Sequence, residues 1–298
     1  KTRRRNFIQS PLKNADCSDR YYWNDVEYLK KHIDHFISVH EPYWDRFLPS
    51  REDVSFMSDA SILQGSLMAH YGLFLPTLVT MASDQQQMWW LWRTLKCQII
   101  GCYAQTELGH GSNVRGLETI ATFDKNTDEF IIHSPTLTSI KWWPSALGKV
   151  STHALVYAQL ILDDKEYGLH VFMVQIRDEK HRPLSGIEVG DLGPKLGDHA
   201  NDTGFLRFDH VRISRENMLN RYQQVTKDGK YIKVTKKKGG GGNKKVHYST
   251  MMNARGGMVR IAGGALSKAV TIAIRYSCVR KQGFIKSRKE LDDEYFAE

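Results

Sequence analysis

The run GCYAQTELGHGSN, residues 101–113, concentrates small and polar side chains directly after the apolar Ile99 and Ile100. Glycine lets a backbone approach a ligand closely, and backbone N–H groups freed in this way can hold phosphate or carbonyl oxygens. The hydroxyl of Thr106 can donate a further hydrogen bond, and Tyr103 offers a flat aromatic face. These residue types predict a ligand cradle. A turn between a helix and a strand has the same composition, and spacing alone favours the turn.

Two further segments carry residues suited to a conjugated ligand that bears phosphate. TSIKWWPSALGK, residues 138–149, combines Trp142 and Trp143 with a proline and small residues, which predicts a rigid bend with aromatic surface. A domain interface would use the same kind of surface. RYSCVRKQ, residues 275–282, supplies cations for phosphate, among them Arg280. Cations are also favoured at the C-terminal end of any helix, so this segment has a purely structural alternative.

The familiar nucleotide, metal and hydrolase motifs are missing from the sequence. Gly109 and Gly111 give GxG, but the next glycine is Gly116, which breaks the GxGxxG spacing. The patterns GxxxxGK[ST], HExxH and GxSxG do not occur. The four cysteines form no CxxC pair, which indicates free thiols in a reducing compartment and no metal site. Rossmann, P-loop, zincin and serine hydrolase chemistries therefore have no support.

Composition and charge place the chain among globular proteins. At 298 residues, with 41% hydrophobic and 25% charged residues, it can form about two domains with a substantial core. The formal net charge is +9, but residues 227–245 hold eight lysines against one aspartate, a net +7. The basic balance thus describes one loop, and no nucleic-acid partner is predicted. No apolar run approaches the ~18 residues of a membrane span, so none is predicted.

Hydrophobic periodicity predicts helices towards both ends of the chain. YWNDVEYLKKHIDHFI is one such segment, and a second begins with the capping-box pair Ser83 and Gln86. The apolar stripes at helical spacing are Val26, Leu29, Ile33 and Phe36 in the first helix, and Met88, Trp89, Trp92 and Leu95 in the second. We expect the second stripe to be buried. A long helix without proline is predicted from Thr250 onward, where Gly263 and Gly264 would let another backbone approach closely.

Between the helical regions the pattern changes to short strands. LETIATF and EFIIHS flank the turn-rich DKNTD, and HALVYAQLIL and LHVFMVQI flank DDKEYG, so two β-hairpins are predicted. TGFLRFDHV adds a strand, and the absence of interleaved helices favours an antiparallel sheet or barrel of about a hundred residues. The predicted division is a helical domain at 1–115, a β-domain at 116–213, a basic Gly/Lys-rich linker at 214–248 and the start of a second helical domain at 249–298.

Together these segments resemble the acyl-CoA oxidases, the peroxisomal flavoenzyme branch of the acyl-CoA dehydrogenase superfamily. YAQTELGHGSNVRGLET, SPTLTSIKWWP, GIEVGDLGPKLG, ISRENMLNRY and ALSKAVTIAIRYSCVR occur in that family's order and spacing. The resemblance covers the family's N-terminal half. It implies an α+β fold with an N-terminal helical domain, a middle antiparallel β-domain and the start of a C-terminal helical bundle. It also implies a peroxisomal location, although the final residues FAE are not a peroxisomal signal.

The resemblance assigns FAD as cofactor and implies which residues contact it. These residues are Tyr103, Ala104, Gln105, Thr106, Gly111, Ser112, Trp143, Ser145 and Arg280. By that resemblance Thr106 donates a hydrogen bond near the reactive flavin nitrogen, and Trp142 and Trp143 close the other side of the ring. Arg280 matches an arginine that holds the FAD diphosphate, often the diphosphate of the neighbouring subunit.

The resemblance also implies an acyl-CoA-binding wall, and the sequence departs from the family pattern at Ser145 and in GGGGNKK, which is more glycine-rich and basic than the usual linker. The wall consists of Lys245, Val246, His247, Tyr248 and Arg255. Ser145 stands where the family usually has glycine. Serine there is tolerable if only its backbone N–H contacts the cofactor, and it adds about 1 kcal/mol of strain if a positive φ is required.

The implied reaction is the oxidation of a fatty acyl-CoA to a trans-2-enoyl-CoA, with electrons passing through FAD to O2 to give H2O2. The implied partners are fatty acyl-CoA, O2 and a second subunit, in a homodimer or a heterodimer with a related chain. The family's glutamate base is expected beyond residue 298, so no catalytic residue is assigned, and neither Glu107 nor Glu118 matches it. Two alternatives stay open: a non-catalytic binding or assembly protein, and a dehydrogenase that uses a protein electron acceptor.

Overall fold

The order of elements along the chain is helices, then strands, then one long helix. The computed structural model describes residues 22–40, 67–197, 201–234 and 246–280. Before the first strand come α1 (Asp25–His40), α2 (Leu67–Met81) and α3 (Asp84–Leu95). Helix α2 contains a π-helical turn at His70–Phe74. The helical segments predicted for α1 and α3 are confirmed.

Short strands fill most of the middle of the chain. Those in the described residues are β1 (Gly101–Ala104), β2 (Ile120–Asp124), β3 (Glu129–His133), β4 (Lys141–Trp142), β5 (His153–Leu162), β6 (Lys165–Gln175), β7 (Ile187–Asp191), β8 (Gly204–Phe208), β9 (Val211–Ser214), β10 (Gln223–Val225) and β11 (Tyr231–Lys233). They are followed by α4 (Val246–Val279). No α-helix interrupts the run from β2 to β9 in the described residues, which agrees with the sequence prediction.

Strand β5 is the centre of a six-stranded sheet. Along one edge it pairs in parallel with β1 and then with β2, and the sheet continues through β3 to β9. Along its other edge it forms an antiparallel hairpin with β6. Both predicted hairpins, β2–β3 and β5–β6, are confirmed, whereas the two parallel pairings are a detail the antiparallel prediction did not include. Separate sheets are formed by β4, β8 and β7 and by β10 and β11.

Both faces of strand β5 are buried, which explains its nearly continuous apolar sequence. On one face Val156 and Leu160 join the core between the sheets, together with the alternating inward residues of β2 and β3. On the other face Leu155 and Tyr157 pack in the cluster that contains Phe74 of α2 and Trp90 of α3. A strand buried on both sides positions its neighbours firmly, and one of those neighbours is β1, which leads into residues 105–113.

The buried stripe predicted for α3 is confirmed at Leu95 and wrong at its other three positions. Met88 is 80% exposed, Trp89 62% and Trp92 48%, whereas the inward face of the helix consists of Gln86, Trp90, Thr94 and Leu95. The capping box itself is confirmed: Ser83 Oγ accepts from Gln86 N, and Gln86 Oε1 accepts from Ser83 N. The Gln86 amide also donates to the backbone carbonyls of Glu216 and Met218, at 2.8 and 2.7 Å. This polar anchor fixes which face of α3 points inward.

Helix α4 lies across the boundary of two compact units, residues 1–254 and 255–298. Within the second unit its described side chains are mostly exposed, and Arg255–Val279 has a mean hydropathy of 1.3. By length and composition this segment could cross a membrane, which the prediction of no span-length apolar run did not anticipate. One such helix is weak evidence, because core helices of soluble proteins have the same composition. The predicted close approach at Gly263 and Gly264 stays a prediction.

Candidate functional site

The two segments singled out for their chemistry, 101–113 and 138–149, lie side by side. Trp142 N donates to the carbonyl of Thr106 at 3.0 Å, and Leu108 N donates to Ile140 O at 2.8 Å. Gly109 N completes the pairing by donating to Thr138 O at 3.0 Å. Residues 106–109 of the loop that follows β1 are therefore paired with the chain that enters the tryptophan bend.

A buried ion pair between Glu107 and Lys141 anchors this pairing. Lys141 Nζ lies 2.9 Å from Glu107 Oε1 and 2.6 Å from the carbonyl of Tyr157, and both charged side chains are fully buried. The Glu107 carboxylate also accepts from the N–H groups of Glu118 and Thr119 and from the Thr119 hydroxyl, at 2.6–2.9 Å. Burial lowers the pKa of Lys141 to about 8, even though Glu107 favours its charged form. Glu107 therefore has a structural role, since all its contacts lie inside the protein.

A second carboxylate, Glu118, fixes the glycine-rich part of the loop. Its Oε1 lies 2.9 Å from Nε2 of His110, and its Oε2 accepts hydrogen bonds from the hydroxyls of Thr136 and Thr138. These hydroxyls and His110 hold the pKa of Glu118 at about 2. Glu118 is thus ionised at neutral pH, and it joins His110 of the loop to the threonines of the segment that enters the tryptophan bend.

Within the loop 105–113, the Thr106 hydroxyl and the space beside Gly111 are not used by other described residues. The half-buried Thr106 hydroxyl makes no hydrogen bond among the described residues. A Cβ added at Gly111 would meet no atom within 4 Å, and the φ of Gly111 is not positive, so neither close contact nor backbone strain requires glycine there. Gly109 differs, because a Cβ there would lie 2.7 Å from Cβ of Thr138. Ser112, next to Gly111, is exposed.

The first of the predicted cofactor residues lie in the core. Tyr103 is 8% exposed, and its ring packs against Tyr157 with the centroids 5.1 Å apart. Its hydroxyl donates to Gln105 Oε1 at 2.8 Å, and burial raises its pKa, so it stays a neutral donor. Ala104 is fully buried. The flat face predicted for Tyr103 is therefore used in packing, and Tyr103 and Ala104 set the position of the main chain.

The tryptophan bend has an unusual backbone. Trp143 has φ 85° and a side chain that is 62% exposed, and Ala146 has φ 66°. Ser145 is not among the residues with positive φ, so the strain considered for serine at this position does not arise. The Ser145 hydroxyl donates to Oδ1 of Asn201. Trp142 stacks on Phe205 with the ring centroids 6.1 Å apart, which leaves Trp143 as the tryptophan that is open to solvent.

Arg177 and Asp202 hold the chain that leaves the bend, and the sequence analysis did not identify either. The buried Arg177 guanidinium donates to three carbonyls, those of Ser151 at 2.6 Å, Gly148 at 2.8 Å and Leu147 at 2.9 Å. Asp202 Oδ2 accepts from the backbone N–H groups of residues 149 and 150. No local motif marks these roles, because each partner is distant in sequence.

The remaining predicted site residues lie on or before α4. Arg280, just past the helix end, is exposed and donates to the hydroxyl of Tyr276, and Arg255 is also exposed. Val246, His247 and Tyr248 form the first turn of α4, whose side chains lie outside the described set. Lys245 lies outside the described residues. The roles of these residues in binding substrate or cofactor stay predictions.

Comparison with family models matches three consecutive parts of the chain. Residues 2–100 match the acyl-coenzyme A oxidase N-terminal domain, and 102–211 match the acyl-CoA dehydrogenase middle domain. Residues 248–294 match the C-alpha1 domain of acyl-CoA oxidases. The order of the three models is the order in which the sequence changes from helices to strands and back to helices.

Comparison with curated proteins gives relatives that are longer than this chain. Peroxisomal acyl-coenzyme A oxidase 1 of Arabidopsis thaliana is 54% identical over 217 residues, which is 72% of this chain and 32% of that protein. The Homo sapiens protein of the same name is 53% identical over 218 residues, 73% of this chain and 32% of that one. The chain spans about a third of the length of the curated relatives it matches.

Comparison with solved structures confirms the predicted fold class. Arabidopsis thaliana acyl-CoA oxidase 1 gives a TM-score of 0.83 at 42% identity, over 96% of this chain and 43% of that one. Caenorhabditis elegans acyl-CoA oxidase-2, solved with FAD, ascaroside-CoA and ATP, gives 0.85 at 40% identity, over 97% and 44%. The fold is the acyl-CoA dehydrogenase-like arrangement of an N-terminal helical region, a middle β-domain and the start of C-terminal helices.

Proposed function

Because the chain belongs to the acyl-CoA oxidase family, we propose that it takes part in the FAD-dependent oxidation of fatty acyl-CoA to trans-2-enoyl-CoA, with O2 as electron acceptor and H2O2 as product. The observation that supports this most is the loop 105–113. It is rigidly anchored at Glu107, yet it leaves the Thr106 hydroxyl and the space above Gly111 free. We also propose a peroxisomal location, since the relatives are named peroxisomal.

The loop and the tryptophan bend fit a flavin. FAD supplies the two-electron redox chemistry when it is bound. The Thr106 hydroxyl would donate to a ring heteroatom, the open backbone at Gly111 and Ser112 would allow close approach, and the exposed Trp143 would cover an aromatic face. Ser145 would contribute its backbone N–H, because its hydroxyl is already bonded to Asn201.

The anionic ends of cofactor and substrate would bind to cations of the second helical region. We propose that Arg280 pairs with the FAD diphosphate, since guanidinium groups bind phosphate through two parallel hydrogen bonds. We propose that residues 245–248 and Arg255 form the acyl-CoA wall. A second subunit, identical or related, is part of this proposal, and the exposed apolar side chains of α4 are consistent with it.

The chain's own residues bind and orient the reactants, but none of those described is assigned as the base that removes the α-proton. That proton becomes acidic enough only when hydrogen-bond donors polarise the thioester carbonyl. Glu107 is enclosed and accepts from four donors, so it cannot approach a substrate without unfolding its surroundings. Glu118 accepts from His110 and two threonine hydroxyls, which hold it in its ionised form against the loop.

Retention of FAD tests the cradle directly. The purified chain is reconstituted with FAD and desalted, and the flavin is quantified from its visible absorbance. We expect Gly111→Leu to lower FAD affinity at least tenfold, because leucine would fill the space left for the ring. Gly72→Leu is the matched control, since Gly72 is also exposed with nothing within 4 Å and lies on α2. Equal retention by both variants would show that the loop is not the flavin site.

Reduction and reoxidation of the bound flavin separate the candidate functions. Fatty acyl-CoA is added to the FAD-loaded chain without oxygen, and bleaching of the flavin band is followed; O2 is then admitted and H2O2 measured. Bleaching with rapid peroxide formation supports an oxidase, and bleaching that only a protein acceptor reverses supports a dehydrogenase. FAD binding without bleaching, or no FAD binding by the unmodified chain, would support a non-catalytic binding protein.

A further inference from the structure

Three potential metal ligands converge at the end of strand β3, where it meets the turn between β8 and β9. They are His133, the last residue of β3, and the neighbouring Asp209 and His210 of the turn. One ligand atom from each lies within 4.8 Å of the others. We propose that these three side chains bind a divalent cation of the borderline class, of which Zn2+ is the representative. No spacing motif marks the group, because His133 is distant in sequence from the other two.

The distances are close to those a tetrahedral site requires. Metal–ligand bonds of 2.0–2.1 Å at tetrahedral angles place neighbouring ligand atoms about 3.3 Å apart. Asp209 Oδ1 lies 2.8 Å from Nδ1 of His210 and 3.8 Å from Nδ1 of His133. One distance is shorter and the other longer than the separation expected between ligand atoms of one metal. Two imidazoles and one carboxylate form a donor set suited to Zn2+ and to other late first-row divalent metals, and water would occupy the fourth coordination position.

The backbone around the group is fixed without help from a metal. Ser134 N donates to Phe208 O at 2.9 Å, and Phe208 N donates to Ser134 Oγ at 3.2 Å, which ties the end of β3 to the start of the turn. Asp209 N donates to the carbonyl of Gly186 at 2.8 Å. His210 itself has φ 52°, a left-handed conformation that a tight turn uses. The ligands therefore sit on a pre-formed backbone frame, and binding requires the His210 ring to leave its stack on His133 and its hydrogen bond to Asp209 Oδ1.

One ring nitrogen in the group is buried and makes no hydrogen bond to another described residue, although it lies 3.8 Å from the Asp209 carboxylate. His133 Nδ1 is shielded from solvent and makes no hydrogen bond among the described residues. The rings of His133 and His210 stack with centroids 3.9 Å apart and planes 22° apart, so their in-plane lone pairs converge on one position only after one ring turns. The exposed His210 ring can turn so that its nitrogen points at the same position. Arg207, the nearby cation, is paired with Glu188 at 3.0 Å.

Zinc titration of matched variants tests the site. Binding of Zn2+ to the purified chain is measured by calorimetry, with Co2+ absorbance as a second readout of imidazole and carboxylate ligation. His210→Asn removes one ligand and keeps a residue that tolerates positive φ, and Asp209→Asn removes the charge. His181→Asn is the control, because His181 is also exposed with positive φ (58°) and lies outside the group.

We expect His181→Asn to bind Zn2+ like the unmodified chain, and the His210 and Asp209 variants to bind at least tenfold more weakly. The zinc-induced rise in melting temperature should be lost in the same two variants. Equal zinc affinity in the His210 and His181 variants, or a chain that binds no zinc at all, would overturn the proposal. Circular dichroism of each variant without metal confirms that a lost affinity is not a lost fold.

Discussion

Replacing Lys141 by methionine is the most direct test of how the loop 105–113 is held. Methionine keeps most of the unbranched apolar stem of lysine but is one atom shorter and removes the ammonium group. Glu107 would then be a buried carboxylate without its countercharge, in a place where both side chains are fully buried. Removing one partner of a buried ion pair typically costs about 3–5 kcal/mol of unfolding free energy, because the other charge stays uncompensated.

The contacts of Glu107 narrow the expected loss of unfolding free energy. After the change its carboxylate still accepts from two backbone N–H groups and the Thr119 hydroxyl, so three of its four donors remain. The carbonyl of Tyr157 loses its donor, which is 2.6 Å away in the unmodified chain. We therefore expect a loss near the lower bound, about 3 kcal/mol. FAD affinity should fall as well, because Thr106 and Gly111 lie on either side of the lost anchor.

Urea unfolding at pH 7, followed by circular dichroism, measures the stability change. Lys125→Met is the matched control: Lys125 pairs with Asp163 at 2.6 Å, but its side chain is 43% exposed. An exposed pair of this kind contributes about 0–1 kcal/mol. If Lys141→Met unfolds within 1 kcal/mol of the unmodified chain, or no more easily than Lys125→Met, the ion pair does not anchor the loop and the reasoning fails.

Three further predictions concern residues around the same site. His70 is fully buried, and burial lowers its pKa to about 4, so as pH falls below 6.5 the unfolded chain binds a proton that the folded chain does not. The free energy of unfolding should therefore drop by up to about 3 kcal/mol between pH 6.5 and 4. Urea melts of His70→Gln should show a smaller dependence of this free energy on pH. Arg177→Met should cost about 2–3 kcal/mol in urea unfolding and weaken FAD retention, since three carbonyls lose their donor. Trp143→Ala should change stability by under about 0.5 kcal/mol yet lower FAD affinity up to about tenfold; an unchanged affinity would exclude Trp143 from the cofactor site.

Features of the fold that depend on local pattern could be predicted from the sequence. The two hairpins follow from alternating apolar residues on either side of turn-rich segments, and the structure has both in the expected places. The capping box at Ser83 follows from two residues three positions apart. Such signals are readable because the interacting residues are neighbours along the chain.

Features that depend on distant contacts could not be predicted. The face of α3 that turns inward is set by Gln86, whose amide donates to the carbonyls of Glu216 and Met218. The apolar stripe with the two tryptophans therefore predicted the wrong buried face. Arg177 lies just after β6, and its side chain contacts the chain that leaves the tryptophan bend. No sequence motif predicts that contact. Hydrophobic periodicity identifies a helix, but it does not identify which polar groups will find partners across the fold.

The composition of GCYAQTELGHGSN has two separate causes, and the structure divides its residues between them. Gly101 is glycine because a Cβ there would lie 2.2 Å from the ring of Phe74, and Gly109 because of Thr138. Glu107 is acidic because Lys141 is buried beside it. None of these three requires a ligand, which is why the segment could pass for an ordinary turn.

Thr106 and Gly111 are different, because nothing within the described residues accounts for them. The hydroxyl of Thr106 makes no hydrogen bond there, and Gly111 has neither a positive φ nor an atom within 4 Å of an added Cβ. A leucine at Gly111 should therefore leave the melting temperature of the FAD-free chain unchanged while abolishing the stabilisation that FAD confers on the unmodified chain. If the leucine variant instead has a lower melting temperature without FAD, Gly111 is required for stability. The main argument for a cofactor site in this loop would then fail.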